Sequence, residues 1–408
     1  MSVIKPFRAL RPAPEQAEHV SCMPYDVVHD SEVREFIQEN PQNFLRVTRA
    51  EAEYPSTYIP AVGEVFEKAA ANLHELVDRG VLSEELEPSF YVYRLTTGSH
   101  QQTGVVACCS LDEYEQGLIK KHEKTRPDKV EDRKEHMLAV RAQTGLIFLA
   151  YRGTERISDI VRETTATEPL YDFTGTSEIR HTVWRVRSTD ELAEAFAEVP
   201  SLYIADGHHR IESALRSRAV LKETNPCHTG EEDYNYVLAG IFPAEDLQIL
   251  AYNRVVHDLN GLSDEEFLAK VQENFILQEN GQKTPEHHGQ ICLYLSGKWY
   301  TLEFAVNYFR QPDPIERLDV SILQNFILAP ILGITDIQRD TRIAFIGGIR
   351  GSSELERLVD SGEARVAFAL FPTTMDDLFE VSDRGEIMPP KSTWFEPKLK
   401  DGLFVHTI

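Results

Sequence analysis

Tyr203-Ile204-Ala205-Asp206-Gly207-His208-His209-Arg210 decides how this chain is read. The apolar run from Leu202 to Ala205 reads as a buried strand, and it stops at Asp206-Gly207, a turn dipeptide. Ile211, Ala214 and Leu215 then recur at helical spacing, so a helix is predicted from about His208. A helix start presents N–H groups outside its own hydrogen-bond ladder and the positive end of the dipole, which together hold an anion. Two imidazoles and a guanidinium at that place point to phosphate. Asp206 is the exception, because a carboxylate there repels phosphate unless it binds a metal or takes a proton.

A second stretch points the same way. Lys120 to Lys134 carries seven Lys or Arg against four Asp or Glu, a local excess of three positive charges in a chain whose formal net charge is -24. Thr125 is the expected N-cap, with Asp128 reaching back and Pro127 in the first turn of a helix running to about Gln143. Lys129, Arg133 and His136 share a face of that helix. The bland alternative is a solvated, charge-rich helix pair.

The chain has 408 residues, enough for two or three domains. No run of eighteen or more apolar residues occurs. The start, Met1-Ser-Val-Ile-Lys-Pro-Phe7, shows no signal-peptide core, so a cytoplasmic protein without a membrane partner is expected. The negative charge argues against general nucleic-acid binding. Five cysteines, with no CxxC pair, suggest buried free thiols.

Strand-like and helix-like segments alternate irregularly, which predicts an α+β fold with mixed sheets. Helices are expected over Ser31–Glu39, Ala61–Asp78, Leu111–Lys121, Asp264–Glu273, Asp319–Leu328 and Thr374–Val381. Hairpins are expected at Phe90–Leu95 with Gly104–Cys109 and at Ile291–Leu295 with Trp299–Phe304. Tyr234–Phe242 and Leu247–Val256 look like paired strands. Gly347-Gly348-Ile-Arg350-Gly351 lacks a following Lys-Ser or Lys-Thr and reads as a structural turn. The expected domains are residues 1–256, a phosphate-binding catalytic region, and 257–408, an α+β region whose tail packs back.

Several segments together resemble one family. They are Lys5-Pro-Phe-Arg-Ala-Leu-Arg-Pro12, Pro24-Tyr-Asp-Val-Val28, Asn43-Phe-Leu-Arg-Val47, Asp112 to Arg126, Tyr203 to Arg210, and Pro389 to Lys398. This set resembles the prokaryotic family named domain of unknown function 1015, which is similar to the free-serine kinases but larger. The Asp-Gly-His-His-Arg element also resembles the phosphate-binding box of the ParB/sulfiredoxin superfamily, which implies a ParB/sulfiredoxin-like strand–turn–helix core. One departure stands out: Val130 is inserted where many members read Lys-Glu-Asp-Arg, shifting Lys129 relative to Arg133.

The resemblance implies an L-serine kinase, transferring a phosphoryl group to free L-serine to give O-phosphoserine. Donors implied are pyrophosphate, ADP or ATP. No Walker loop, kinase-type glycine-rich loop or adenine shelf is evident, which favours the small donor, pyrophosphate. Mg2+ is the expected cofactor, with no ligands assigned and no organic cofactor. The expected phosphate-binding residues are Lys120, Lys121, His122, Arg126, Lys129, Arg133, Gly207, His208, His209 and Arg210. Asp206 and Glu123 are the candidates for the catalytic base, Asp206 slightly preferred; its bland reading is an N-cap. Asp26, Asn43 and Arg46 are assigned to the serine substrate on the family motifs alone. The rival function is a non-catalytic regulator that binds a nucleotide or phosphorylated metabolite in a ParB-like pocket.

Overall fold

The computed structural model describes residues 2–175, 178–304 and 313–408. It divides into two compact units. The first comprises residues 1–121, 125–247 and 397–408; the second comprises 122–124 and 248–396. The division at Leu247/Gln248 falls before the expected one at Val256, and the last twelve residues return to the first unit.

The first unit is built on a nine-stranded mixed sheet. In chain order its strands are β1 (Ile4–Lys5), β2 (Tyr91–Thr97), β3 (His100–Ser110), β4 (Ile119–Lys120), β5 (Ile147–Tyr151), β6 (Tyr171–Thr174), β7 (Arg180–Arg185), β8 (Leu202–Asp206) and β9 (Tyr236–Pro243). Across the sheet the order is β4-β8-β5-β9-β3-β2-β7-β6, with β1 on β3. β8 runs parallel to β4 and antiparallel to β5, while β5 and β9 are parallel. Leu202 to Ala205 are all buried, as a strand covered on both faces requires. Between Ile204 and Asp206 the register against β5 slips by one residue. Such a bulge re-aims the residue that follows it, here Asp206.

Three helices matter most: α1 (Val62–Asp78), α2 (Pro127–Val140) and α3 (His208–Thr224). α1 buries Phe66, Ala69, Leu73 and Leu76 on one stripe, as its periodicity predicts. α3 begins where expected, with Gly207 at its N-cap. α2 begins differently. Arg126, not Thr125, is its N-cap residue, without a side-chain cap bond, and Pro127 takes the first position. The helix stops at Arg141, whose φ of 54° is left-handed, rather than at Gln143. Ala142–Gln143 instead pairs with His406–Thr407.

The helix expected over Leu111–Lys121 covers only Leu111–Glu115. Gly117, at φ 73°, turns the chain into β4. The pairing expected between Tyr234–Phe242 and Leu247–Val256 does not form. β9 lies in the first unit's sheet, while Tyr252–Val256 pairs with Ile343–Gly347 and Val366–Leu370 in the second.

The second unit carries a six-stranded antiparallel sheet ordered Phe275–Glu279, Lys298–Phe304, Gln290–Leu295, Val366–Leu370, Tyr252–Val256, Ile343–Gly347. The hairpin expected at Ile291–Leu295 and Trp299–Phe304 is present. Gly347 ends its strand and a short turn follows, so that glycine pair is structural. The architecture is therefore α+β. All five cysteines are unbridged, and no described helix is long and apolar enough to cross a membrane.

Candidate functional site

Apart from residues 122–124, the two stretches singled out above lie side by side in the first unit. Ile119 and Lys120 pair with Leu202 and Tyr203 as parallel strands. One turn further, α2 packs on α3, where the Ser213 hydroxyl donates to the Val130 carbonyl at 2.9 Å. A third tie joins their starts: the Arg126 backbone N–H donates to His209 Nε2 at 3.0 Å. That bond leaves Nε2 as the acceptor, so the neutral His209 ring carries its proton on Nδ1.

A pocket opens beside this junction. Its lining includes Tyr25, Arg133, His136, Gly145, Arg210 and Asp401. Gly207, with φ 96°, lies against two of the lining residues, Arg210 and Ile147. The positive φ favours glycine, and a Cβ there would also be crowded, 3.2 Å from Arg210 Nε and 3.3 Å from Ile147 Cα.

Arg210 is the central cation. Its Nη1 donates to the Leu146 carbonyl and its Nη2 lies 3.6 Å from Asp206 Oδ2. Arg210 Nε is buried without a hydrogen-bond partner. Burial pulls its pKa down, but Asp206, Asp26 and Asp401 more than offset that and raise it. Arg133 reaches the same pocket from α2, its guanidinium 4.4 Å from the Tyr25 ring centre and bridged to Asp132 at 2.7 Å. His136, one turn on, is buried with its Nε2–H donating to the Val47 carbonyl at 2.9 Å. Burial and the Arg133 charge push His136 down to about 4, so it is neutral at pH 7.

Asp206 sits at the end of β8. Burial alone pushes its pKa up, but Lys398 Nζ at 3.2 Å and Arg210 outweigh this and hold the carboxyl well below the usual range. Its side chain keeps 30% exposure. Asp401 is the opposite case. It is 2% exposed, its Oδ1 has no hydrogen-bond partner, and burial pushes its pKa up to about 7 despite Arg210 and Arg133. Asp206 and Asp401 thus differ sharply in basicity within one neighbourhood.

Not every expected residue gathers here. Lys120 Nζ lies 5.5 Å from the Tyr203 ring centre, and Lys121 Nζ 5.9 Å from that of Tyr114. The Arg126 side chain turns to Asp128 at 2.7 Å, and Lys129 is exposed. None of these four lines the pocket. His208 is buried at the first turn of α3. His122 and Glu123 fall in the second unit, where the His122 ring meets the Thr393 hydroxyl at 3.2 Å.

Among the three expected serine contacts, Asp26 is exposed beside Tyr25, in a loop that Arg49 fastens through the Tyr25 and Val28 carbonyls at 2.9 and 3.2 Å. Asn43 and Arg46 are committed to the fold. Asn43 Oδ1 accepts the Leu45 N–H at 3.0 Å. Arg46 pairs with Glu53 and, at 2.9 Å, with Glu75.

Lys398 and Asp401 are the residues that sequence reasoning missed. Lys398 closes a stretch already noted, Pro389 to Lys398, and Asp401-Gly402 is a turn dipeptide. Neither signal marks a site. No described group of three His, Cys, Asp or Glu could hold a metal, so no protein ligand is assigned to magnesium.

Residues 4–321 match the family described as protein of unknown function (DUF1015). The chain belongs to that family. Lys398 and Asp401 lie beyond the matched residues. No curated protein matches the chain. Among solved structures, a free serine kinase in complex with AMP is similar at 14% identity and a TM-score of 0.36, over 74% of this chain and 91% of that one. SbnI with C-terminal truncation from Staphylococcus aureus is similar at 12% identity and a TM-score of 0.40, over 74% and 87%. A conserved hypothetical protein from Pyrococcus furiosus is similar at 15% identity and 0.35, over 74% and 95%.

Proposed function

We propose that the chain is a small-molecule phosphotransferase that forms O-phospho-L-serine from free L-serine, with pyrophosphate as donor. The observation that carries the reading is that Arg210, from the first turn of α3, and Arg133 line one pocket with Asp401, while Asp206, a carboxylate of unlike basicity, lies 3.6 Å from Arg210. Phosphoryl transfer asks a protein chiefly for charge neutralisation and alignment. Two guanidiniums are suited to phosphate oxygens because each offers a planar fork of donors. The helix start adds N–H groups and the positive dipole end.

Asp206, held ionised by Lys398 and Arg210, is an acceptor for the substrate hydroxyl or ammonium rather than a strong base. Asp26, exposed and next in sequence to the pocket residue Tyr25, is the second carboxylate offered to the ammonium. Magnesium is proposed as the counter-ion that accompanies the donor, and no step is routed through it.

Incubation of the purified protein with L-serine, Mg2+ and, separately, pyrophosphate, ADP and ATP tests this by phosphorus NMR. A phosphoserine resonance growing with pyrophosphate, and more slowly or not at all with the nucleotides, is the expected result. Growth with ADP or ATP alone would move the donor assignment to a nucleotide. No phosphoserine with any donor, together with tight binding of one of them, would make the chain a regulator instead.

A further inference from the structure

We propose that Asp401, delivered by the C-terminal segment, is the proton acceptor of the site and takes the hydroxyl proton of the phosphoryl acceptor. The inference rests on the phosphotransferase reading and deepens it. Three features of geometry carry it. Asp401 is fixed by its backbone, which exchanges two hydrogen bonds of 3.0 Å with Cys22, so the carboxylate is not needed to hold the segment in place. Its side chain lines the same pocket as Arg133 and Arg210. Its Oδ1 is buried without a partner and points at Gly145, where a methyl group would overlap it. A buried carboxylate oxygen left unpartnered costs free energy, and such a group in a cleft is a candidate for chemistry.

The surroundings explain why this carboxylate, and not Asp206, is basic. Arg210 from α3 and Arg133 from α2 favour its ionised form, and the Tyr25 backbone N–H bonds to it. Asp26 opposes ionisation, and burial opposes it most. Lys400 on its own segment, the Cys22 thiol opposite and the phenols of Tyr25 and Tyr93 are its other titratable neighbours. The balance falls near neutrality, where a base is most effective.

In the transfer step the serine oxygen bonds to the transferred phosphorus. The bridging P–O bond of pyrophosphate breaks, and its electron pair leaves on inorganic phosphate. The hydroxyl proton goes to Asp401 and from there to solvent.

The test compares wild type with Asp401→Asn across pH 5.5 to 9, reading kcat, KM for pyrophosphate and thermal melting. Asp401 must be ionised to act, so wild-type kcat/KM should rise with pH through about 7. The Asn variant should melt normally, bind pyrophosphate at least as well, turn over roughly 100-fold more slowly and lose that acid limb. Gly145→Ala, which displaces the carboxylate without removing it, should reproduce the slow turnover. An active wild type whose Asp401→Asn form keeps both its rate and its acid limb would overturn the assignment while leaving the phosphotransferase standing. A wild type with no turnover would overturn both.

Discussion

Replacing Arg210 by alanine is expected to weaken pyrophosphate binding on the order of 100-fold, read by calorimetric titration. A hydrogen bond to a charged group contributes roughly 1.5–3 kcal/mol, and a guanidinium can make two to one phosphate. The substitution also removes the charge that Asp206 and Asp401 both face. With Arg210 gone, Asp401 should keep its proton to higher pH, because Arg210 is the largest influence lowering its pKa. Turnover at pH 7 should therefore fall further than binding does. Arg210→Lys restores a charge but not the planar fork, and an intermediate affinity is expected. Wild-type affinity in a folded alanine variant would remove Arg210 from the site.

Ending the chain after Glu396 is expected to abolish cooperative folding of the first unit. The removed segment buries Leu399, Leu403, Phe404 and Val405 at 4% exposure or less. Phe404 packs against Tyr91 in a tilted ring pair with centres 4.9 Å apart. Leu10 and Val405 exchange two backbone hydrogen bonds of 2.9 Å, and Gly402, at φ 82°, lets the turn close on Phe44. Losing a large buried apolar side chain costs about 2–5 kcal/mol each, so four together are of the same size as the roughly 5–15 kcal/mol that holds a domain folded. The measurement is near-ultraviolet circular dichroism with a thermal melt. A truncated protein that melts cooperatively at the wild-type temperature would contradict the packing described.

Much of the local architecture around the site was legible because short-range rules act there. Leu202–Asp206, Gly207 and the helix from His208 follow from an apolar run, a residue tolerant of positive φ, and helical spacing. Basic charge on Lys120–Lys134 likewise pointed to the neighbouring stretch. What it did not show is which cations matter: Arg133 enters the pocket, while Arg126 is drawn to Asp128 two residues on.

The rest was set by partners distant in sequence. Tyr236–Pro243 and Tyr252–Val256 have the composition of a hairpin, but each finds a better neighbour in a different sheet. Thr125 looks like an N-cap, yet the bond it would make is not formed and the helix begins after Arg126. Asp401 is a surface-type residue by composition. Only the bridge to Cys22, nearly the whole chain away, buries it beside Arg210.

The account stands most directly on where the donor sits, and a crystal structure of the full chain grown with pyrophosphate measures that. The expected result is a diphosphate with oxygens within hydrogen-bond distance of Arg210, Arg133 and the first-turn N–H groups after Gly207. Pyrophosphate bound at another place, with this pocket holding only solvent, would contradict it.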